Sequence, residues 1–162
     1  MKPFQVAVIG ASGASADEKR IAETVGILLA DCGITMLSGG KGGVMEESCR
    51  GCLTAGGTVA GILPDHEGNP YLSVIIRTGM EQARNVILIR SADAVIAVGG
   101  GYGTLSEIAH ALSLSIPVFG IQTWKIPGVE ICLSAQEAVE RAAGVRNTGM
   151  ITPDSILTNH PI

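Results

Sequence analysis

Short apolar runs rich in Val, Ile and Ala alternate along this sequence with longer stretches whose apolar residues recur at helical spacing. A short continuous apolar run is typical of a strand that is buried on both faces of a sheet. Six runs predict strands: FQVAVIG, ITMLSGG, TVAGILP, SVIIRT, ADAVIAV and IPVFGI. Five stretches predict helices: ADEKRIAETVGILLADCG, GVMEESCRGCLTAG, GMEQARNVILIRSA, TLSEIAHALSLS and SAQEAVERAAG. This order predicts an α/β fold, in which an open parallel sheet carries helices on both faces.

The length of the chain predicts one domain, and its charge disfavours one class of partner. A chain of 162 residues can bury a sizeable core, and we assign residues 1–144 to a single Rossmann-like domain and 145–162 to a C-terminal tail. A net charge of -4 argues against nucleic acid as a partner. No apolar stretch reaches the roughly 20 residues that span a bilayer, so we expect no membrane partner. Because the start MKPFQVAVIG lacks the features of a secretory signal, we expect a cytoplasmic protein.

The Cys-x-x-Cys pair formed by Cys49 and Cys52 lies inside the second predicted helix. A tetrahedral zinc site needs two more ligands, and neither a second such pair nor a paired histidine follows in the sequence. Small thiols pack well where a helix meets a sheet. We therefore expect structural cysteines and no metal site.

Glycine is concentrated at three junctions between a strand and the next helix. In open parallel sheets, ligands bind beyond the carboxyl ends of the strands, near the helix N-termini. Free backbone N–H groups and the helix dipole attract anions there, and glycine lets a phosphate approach the backbone closely. The sequence predicts a phosphate site built from Gly10, Ser12 and Gly13 in the first junction, Gly39, Gly40, Lys41, Gly42 and Gly43 in the second, and Gly99, Gly100, Gly101, Tyr102, Gly103 and Thr104 in the third. We therefore expect residues 1–144 to be a nucleotide- or phosphate-binding domain.

Two common phosphate-binding motifs are absent. A Walker loop requires Gly-Lys-Ser/Thr, but Lys41 is followed by two glycines. A dinucleotide fingerprint requires G-x-G-x-x-G after the first strand and an acidic residue after the second strand. The first junction has only Gly10 and Gly13 with two residues between them, and the second strand ends in Ser-Gly-Gly. Both NAD-dependent and ordinary NTPase functions are therefore disfavoured.

Two blocks of sequence resemble the LOG superfamily, whose members were long mislabelled lysine decarboxylases. GGKGGVMEES resembles its G-G-x-x-G-x-M block, and AVGGGYGTLSEI resembles its P-G-G-x-G-T-x-x-E signature. The resemblance covers residues 5 to about 122. One branch consists of phosphoribohydrolases that release the base from cytokinin nucleoside monophosphates. Their catalytic Arg and Glu correspond by motif position to Arg84 and Glu107.

A second branch contains molybdenum-cofactor carrier proteins and related bacterial proteins, and GMEQARN and TLSEIAHAL resemble this branch more closely. Where the hydrolase signature begins with proline, this chain has Gly99. The hydrolase sequence Arg-Lys-x-x-Met is Arg-Asn-Val-Ile-Leu at residues 84–88. Ser106 stands where the hydrolases often have a glutamate. These differences favour a carrier over an enzyme.

The resemblance implies a small phosphorylated ligand, either a molybdenum cofactor or a nucleoside monophosphate, and no required cofactor. It also implies a homo-oligomer, a dimer or tetramer, with the helix that bears Arg84 near the interface. If the protein is an enzyme, the resemblance implies a phosphoribohydrolase rather than a lysine decarboxylase.

The two candidate catalytic residues also have simple structural explanations. Thr104 and Glu107 have the spacing of a capping box, in which threonine caps a helix and glutamate bonds back to the cap. Arg84 fits an exposed helix face equally well. The lone Trp124 could stack on a base or cover the core, and the sequence does not choose between these roles.

Overall fold

Seven parallel strands form one sheet in the computed structural model, which describes residues 3–147. The strands are β1 (Gln5–Gly10), β2 (Thr35–Ser38), β3 (Val59–Leu63), β4 (Val74–Arg77), β5 (Ala94–Val98), β6 (Val118–Ile121) and β7 (Val129–Ile131). The helices are α1 (Ala16–Asp31), α2 (Val44–Thr54), α3 (Arg84–Arg90), α4 (Tyr102–Ser113) and α5 (Ala135–Gly144). The predicted Rossmann-like α/β fold is confirmed.

The strand order is β4-β3-β2-β1-β5-β6-β7, so the direction in which successive strands are added to the sheet reverses beside β1, at its centre. From β1 the chain builds outward to β4, then returns to place β5 on the other side of β1. The register pairs Gly10 with Val98, so β1 and β5 end side by side. A crevice opens beyond strand ends at such a point, because the loops that follow turn to opposite faces of the sheet.

Two helical layers cover the sheet. Val6 and Val8 of β1 face the core shared with α1, α2 and α5, whereas Ala7 and Ile9 face the core shared with α3 and α4. This burial on both faces explains why the inner strands, such as β1 and β5, are almost entirely apolar in sequence. The edge strand β4 is also apolar but is exposed along its length. On the first face α1 and α2 pack closely, since a Cβ atom on Gly26 would lie 2.1 Å from the backbone oxygen of Ser48.

Two helix boundaries and one strand differ from the prediction. The third predicted helix, residues 79–92, is shorter in the structure, where α3 follows a 3-10 turn at Glu81–Ala83. The backbone has positive φ angles of 64° at Gly79 and 49° at Glu81, which prevent the helix from starting earlier. Helix α4 starts at Tyr102 rather than at Thr104. Strand β7 was not predicted, because three residues that pair only with β6 give too short a pattern to recognise.

Cys49 and Cys52 are both fully buried on α2, and burial raises the pKa of each thiol, that of Cys52 to about 11. Within residues 3–147, no group of three or more His, Cys, Asp or Glu side chains could hold a metal ion. None of the helices in this range has the length and apolar character that a membrane span requires.

The predicted tail begins with a 3-10 turn at Val145–Asn147, and its remainder lies outside the described residues.

Candidate functional site

A cleft of about 460 Å³ lies at the carboxyl edge of the sheet, and all three glycine-rich junctions border it. This volume is within the usual range for small-molecule sites. Its lining consists of Gly10, Ala11, Ser12, Lys41, Met45, Pro64, Asp65, Glu81, Gln82, Arg84, Asn85, Gly101, Gly103, Thr104 and Glu107. The fold thus brings the two motif residues, Arg84 and Glu107, into one cleft with part of each junction.

Several predicted glycines do not line this cleft and instead allow close packing around it. A Cβ atom on Gly43 would lie 2.3 Å from the backbone oxygens of Ala11 and Ser12, so this glycine lets the first two junctions touch. The other predicted residues outside the lining are Gly13, Gly39, Gly40, Gly42, Gly99, Gly100 and Tyr102. Of these, Gly39, Gly40, Gly99 and Gly100 are packing positions as well, whereas Gly13 and Gly42 have no close neighbour and Tyr102 is exposed. The spacing in the sequence could not separate such positions from positions at the cleft.

The guanidinium group of Arg84 is held inside the protein, with the residue only 7% exposed. It packs on the backbone of Gly39, where a Cβ atom would lie 2.4 Å from Nη1 of Arg84. Among residues 3–147, Nε and Nη1 of Arg84 have no hydrogen-bond partner. Burial lowers the pKa of Arg84, although arginine remains charged at neutral pH. The alternative of an exposed surface arginine is therefore wrong.

Glu107 lies beside Arg84 and is 8% exposed, with its Oε1 atom 3.9 Å from Nη1 of Arg84. Burial raises the pKa of Glu107 to about 7, and the positive charge of Arg84 offsets only part of this effect. The capping-box alternative is wrong as well. Gly101 occupies the N-cap of α4, no side chain caps the helix, and Thr104 lies inside the first turn.

The three junctions differ in how open their helix starts are. At α1, Ser15 and Glu18 form a capping box, in which Glu18 Oε2 accepts from the Ser15 N–H and Ser15 Oγ accepts from the Glu18 N–H. At α2, the N–H of Val44 donates to the Ala11 carbonyl. Helix α4 has no such side-chain cap, and Gly101 at its start borders the cleft. The third junction therefore has the most open helix start of the three.

Lys41 borders the cleft but is already engaged in bonds within the protein. Its Nζ atom donates to both carboxylate oxygens of Asp65, at 2.8 and 3.0 Å, and to the Glu67 carbonyl at 2.8 Å. The hydrogen bond from Lys41 holds the pKa of Asp65 below its usual value. Arg84 is thus the less neutralised of these two cations, which the sequence alone did not indicate.

Comparison with known protein families assigns most of this chain to one family. The model of the SLOG cluster4 family matches residues 3–150. The chain belongs to the SLOG cluster4 family. One relative, an uncharacterized protein of Archaeoglobus fulgidus, is 44% identical over 148 residues, which is 83% of this chain and 98% of the relative. The resemblance to the LOG superfamily is confirmed.

Solved structures of molybdenum cofactor proteins have the same fold as this SLOG cluster4 member. The molybdenum cofactor binding protein of Rippkaea orientalis is 32% identical, with a TM-score of 0.85 over 90% of this chain and 99% of that protein. The molybdenum cofactor carrier protein of Chlamydomonas reinhardtii is 27% identical, with a TM-score of 0.82 over 91% of this chain and 100% of that protein. The predicted likeness to the carrier branch is confirmed.

An enzyme is also similar, over a shorter region. The cytokinin riboside 5′-monophosphate phosphoribohydrolase of Rhodococcoides fascians is 31% identical over 106 residues. The match covers 59% of this SLOG cluster4 chain and 52% of the enzyme, so the chain spans about half of that relative's length.

The raised pKa of Glu107 makes stability depend on pH. The folded protein keeps the Glu107 proton up to about pH 7, whereas the unfolded chain loses it near pH 4.5, so this stabilising contribution is lost as pH rises through 7. We expect Glu107→Gln, which mimics the protonated form, to raise the free energy of unfolding at pH 8 by up to roughly 3 kcal/mol. At pH 4.5 the variant and the wild type should match. Urea unfolding across this range tests the prediction, and parallel profiles would contradict it.

Proposed function

We propose that this protein binds and carries a phosphorylated nucleotide- or pterin-like ligand in the cleft beside Arg84. One observation carries the proposal: a buried guanidinium group borders the cleft with two nitrogen atoms that lack hydrogen-bond partners among the described residues. Burying a charge without partners is costly, and a negatively charged ligand supplies the missing interaction. Glu107 is 3.9 Å away and is partly protonated near pH 7, so it neutralises this charge only in part.

The ligand phosphate fits best at the start of α4. That helix has no side-chain cap, and a Cβ atom placed on Gly101 or Gly103 would meet nothing within 4 Å. Backbone N–H groups at an open helix start with free space in front of them are a common phosphate site. Gly10 and Ser12 of the first junction border the same cleft from the other side.

The molybdenum cofactor, a phosphorylated pterin, is the proposed cargo because the likeness to the Rippkaea and Chlamydomonas proteins extends over about nine-tenths of this chain. Recognition uses the phosphate and the ring system of the cargo. Residues 3–147 contain no cluster of three His, Cys, Asp or Glu side chains for direct metal coordination. The proposal requires no resident cofactor in addition to this cargo.

Arg84→Met tests the role of the buried cation, since methionine preserves apolar contacts and removes the charge. Charged hydrogen bonds contribute about 1.5–3 kcal/mol, so we expect the variant to bind AMP and ribose 5-phosphate at least about tenfold more weakly. Arg90→Met is the matched control, because Arg90 is exposed at the other end of α3. Calorimetric titration measures both. Equal affinities for the two variants and the wild type would overturn the proposal.

A second candidate function, hydrolysis of nucleoside 5′-monophosphates, is favoured by Glu107. Cleavage of an N-ribosidic bond develops positive charge on the sugar, which a nearby carboxylate stabilises. A buried glutamate with a pKa of about 7 can also act as a general base for water near neutral pH. In this case Arg84 binds the phosphate or orients Glu107.

Chromatography of free base after incubation with AMP separates the two functions. For a carrier, we expect AMP to bind without release of adenine in either wild type or Glu107→Gln. Release by the wild type that is lost in Glu107→Gln and in Arg84→Met would establish the phosphoribohydrolase and make both residues catalytic.

We also propose that the protein is a homo-oligomer, a dimer or a tetramer. Strand β4 lies at one edge of the sheet, and its Val74, Ile75 and Ile76 are 47%, 44% and 45% exposed. Alternate residues of a strand point to opposite faces, so both faces of this edge are apolar and uncovered. An apolar edge of this kind aggregates unless a partner covers it, and a second copy of the chain is the partner proposed.

Ile75→Lys tests this assembly, because a charged side chain at the centre of β4 opposes burial there. We expect light scattering after size-exclusion chromatography to give a smaller particle than the wild type at equal concentration. Ile131→Lys is the control, since Ile131 is similarly exposed (42%) on β7 at the opposite edge. A monomeric wild type, or an unchanged mass for Ile75→Lys, would overturn the proposed interface.

A further inference from the structure

A second cleft, of about 640 Å³, adjoins the first and lies along α3 and α4. Gln82, Asn85, Gly103 and Glu107 line both clefts, so the two form one continuous depression with Glu107 at the boundary. The proposed phosphate position accounts for the first cleft only. The second is large enough for the remainder of a nucleotide-sized ligand.

An exposed aromatic pair stands at the rim of this second cleft. Tyr102 lines it and is 84% exposed, and its ring centroid is 6.2 Å from that of Trp124 at an interplanar angle of 31°. The whole chain has one Trp, two Tyr and two Phe, so aromatic surface is scarce here. An exposed aromatic ring beside a cleft offers a flat apolar face to a planar ligand.

Hydrogen bonds tie the loop of Trp124 to the third glycine-rich junction. Trp124 Nε1 donates to the Gly101 carbonyl at 3.3 Å, and Thr123 Oγ1 donates to the Gly99 carbonyl at 2.5 Å. The Gly99 N–H donates in turn to the Ile121 carbonyl at the end of β6. The aromatic pair is therefore fixed relative to the start of α4, where the phosphate is proposed to bind.

Two polar atoms beside the second cleft lack partners. Asn85 Oδ1 on α3 and His110 Nε2 on α4 are both buried, and neither has a hydrogen-bond partner within residues 3–147. Both residues line the cleft. Buried polar atoms in folded proteins are nearly always hydrogen-bonded, so these two remain available for groups on a ligand. An amide oxygen accepts a hydrogen bond, and an imidazole nitrogen accepts or donates one according to its protonation.

From these four observations we infer that the second cleft binds the fused, nitrogen-containing ring of the ligand, a purine or a pterin, which stacks on Tyr102 while Asn85 and His110 bond its polar edge. The inference rests on the proposed function, because the ring must belong to the ligand whose phosphate lies beside Arg84. Trp124 is a positioning residue, which holds the Tyr102 ring and the glycine loop in one arrangement.

Four probes separate the two ends of the site. Ribose 5-phosphate carries only the phosphate end, and GMP adds a purine; 6-hydroxymethylpterin and guanosine are a pterin and a purine nucleoside without phosphate. Calorimetry on the full chain gives the affinity of each. We expect GMP to bind more tightly than ribose 5-phosphate. A preference for the pterin over guanosine, which also lacks phosphate, assigns the ring to the pterin class, and the reverse assigns it to the purines.

Tyr102→Ala removes the stacking face at an exposed position, so the variant should fold as the wild type does. We expect it to weaken GMP binding by a factor of roughly 5 to 100, the range measured for base–aromatic stacking. Ribose 5-phosphate binding should stay within about twofold, and Tyr102→Phe should retain the affinity for GMP. Because Trp124 is the only tryptophan, its fluorescence gives a second signal, which GMP should change more than ribose 5-phosphate does.

The outcomes that overturn the inference are distinct from those that overturn the proposed function. If GMP binds no more tightly than ribose 5-phosphate and the pterin does not bind, or if Tyr102→Ala affects GMP and ribose 5-phosphate binding equally or affects neither, the ring site is wrong and the phosphate site stands. If neither GMP nor ribose 5-phosphate binds the wild type and the pterin does not bind either, both are wrong.

Discussion

The buried pair of Arg84 and Glu107 is the interaction on which the cleft depends. Arg84 begins α3, Glu107 lies on α4, and the guanidinium group packs on Gly39 just beyond β2, so three separate parts of the chain meet at one charge pair. Water is largely excluded from both groups, which makes their electrostatic interactions stronger and their incomplete hydrogen bonding more costly. A site that tolerates this cost in the free protein is prepared for an anion before the anion arrives.

The two proposed functions, carriage and hydrolysis, depend on the same parts of this fold. Either function needs an open helix start for phosphate and a cation beside it, and Arg84 and α4 supply both. The state of Glu107 bears on the choice between them: a carboxylate can stabilise a positive sugar or activate water, whereas a protonated carboxyl group can only donate a hydrogen bond or a proton. With a pKa of about 7, the residue lies between these states, and small changes in its surroundings would decide which one prevails.

The sequence predicted the order of the elements well, because strands buried on both faces and amphipathic helices have strong local patterns. It also identified Arg84 and Glu107 through their motifs, but not their burial, which depends on how α3 and α4 pack against the sheet. The remaining features of the cleft depend on contacts between residues that are far apart in the sequence. Lys41 is engaged by Asp65, 24 residues away, and which glycines face the cleft depends on neighbouring loops rather than on spacing. Strand β7 exists only through pairing with β6.

The capping box at α1 bears on how many phosphates the proposed ligand can carry. A diphosphate-bridged dinucleotide normally places its pyrophosphate on the helix that follows the first strand. Here Glu18 puts a carboxylate at that helix start, and the same side chain packs so closely against Gly99 that a Cβ atom there would overlap it. Negative charge therefore occupies the space between the first and third junctions. By electrostatic repulsion, this carboxylate favours a single phosphate in the proposed ligand, on the α4 side of the crevice.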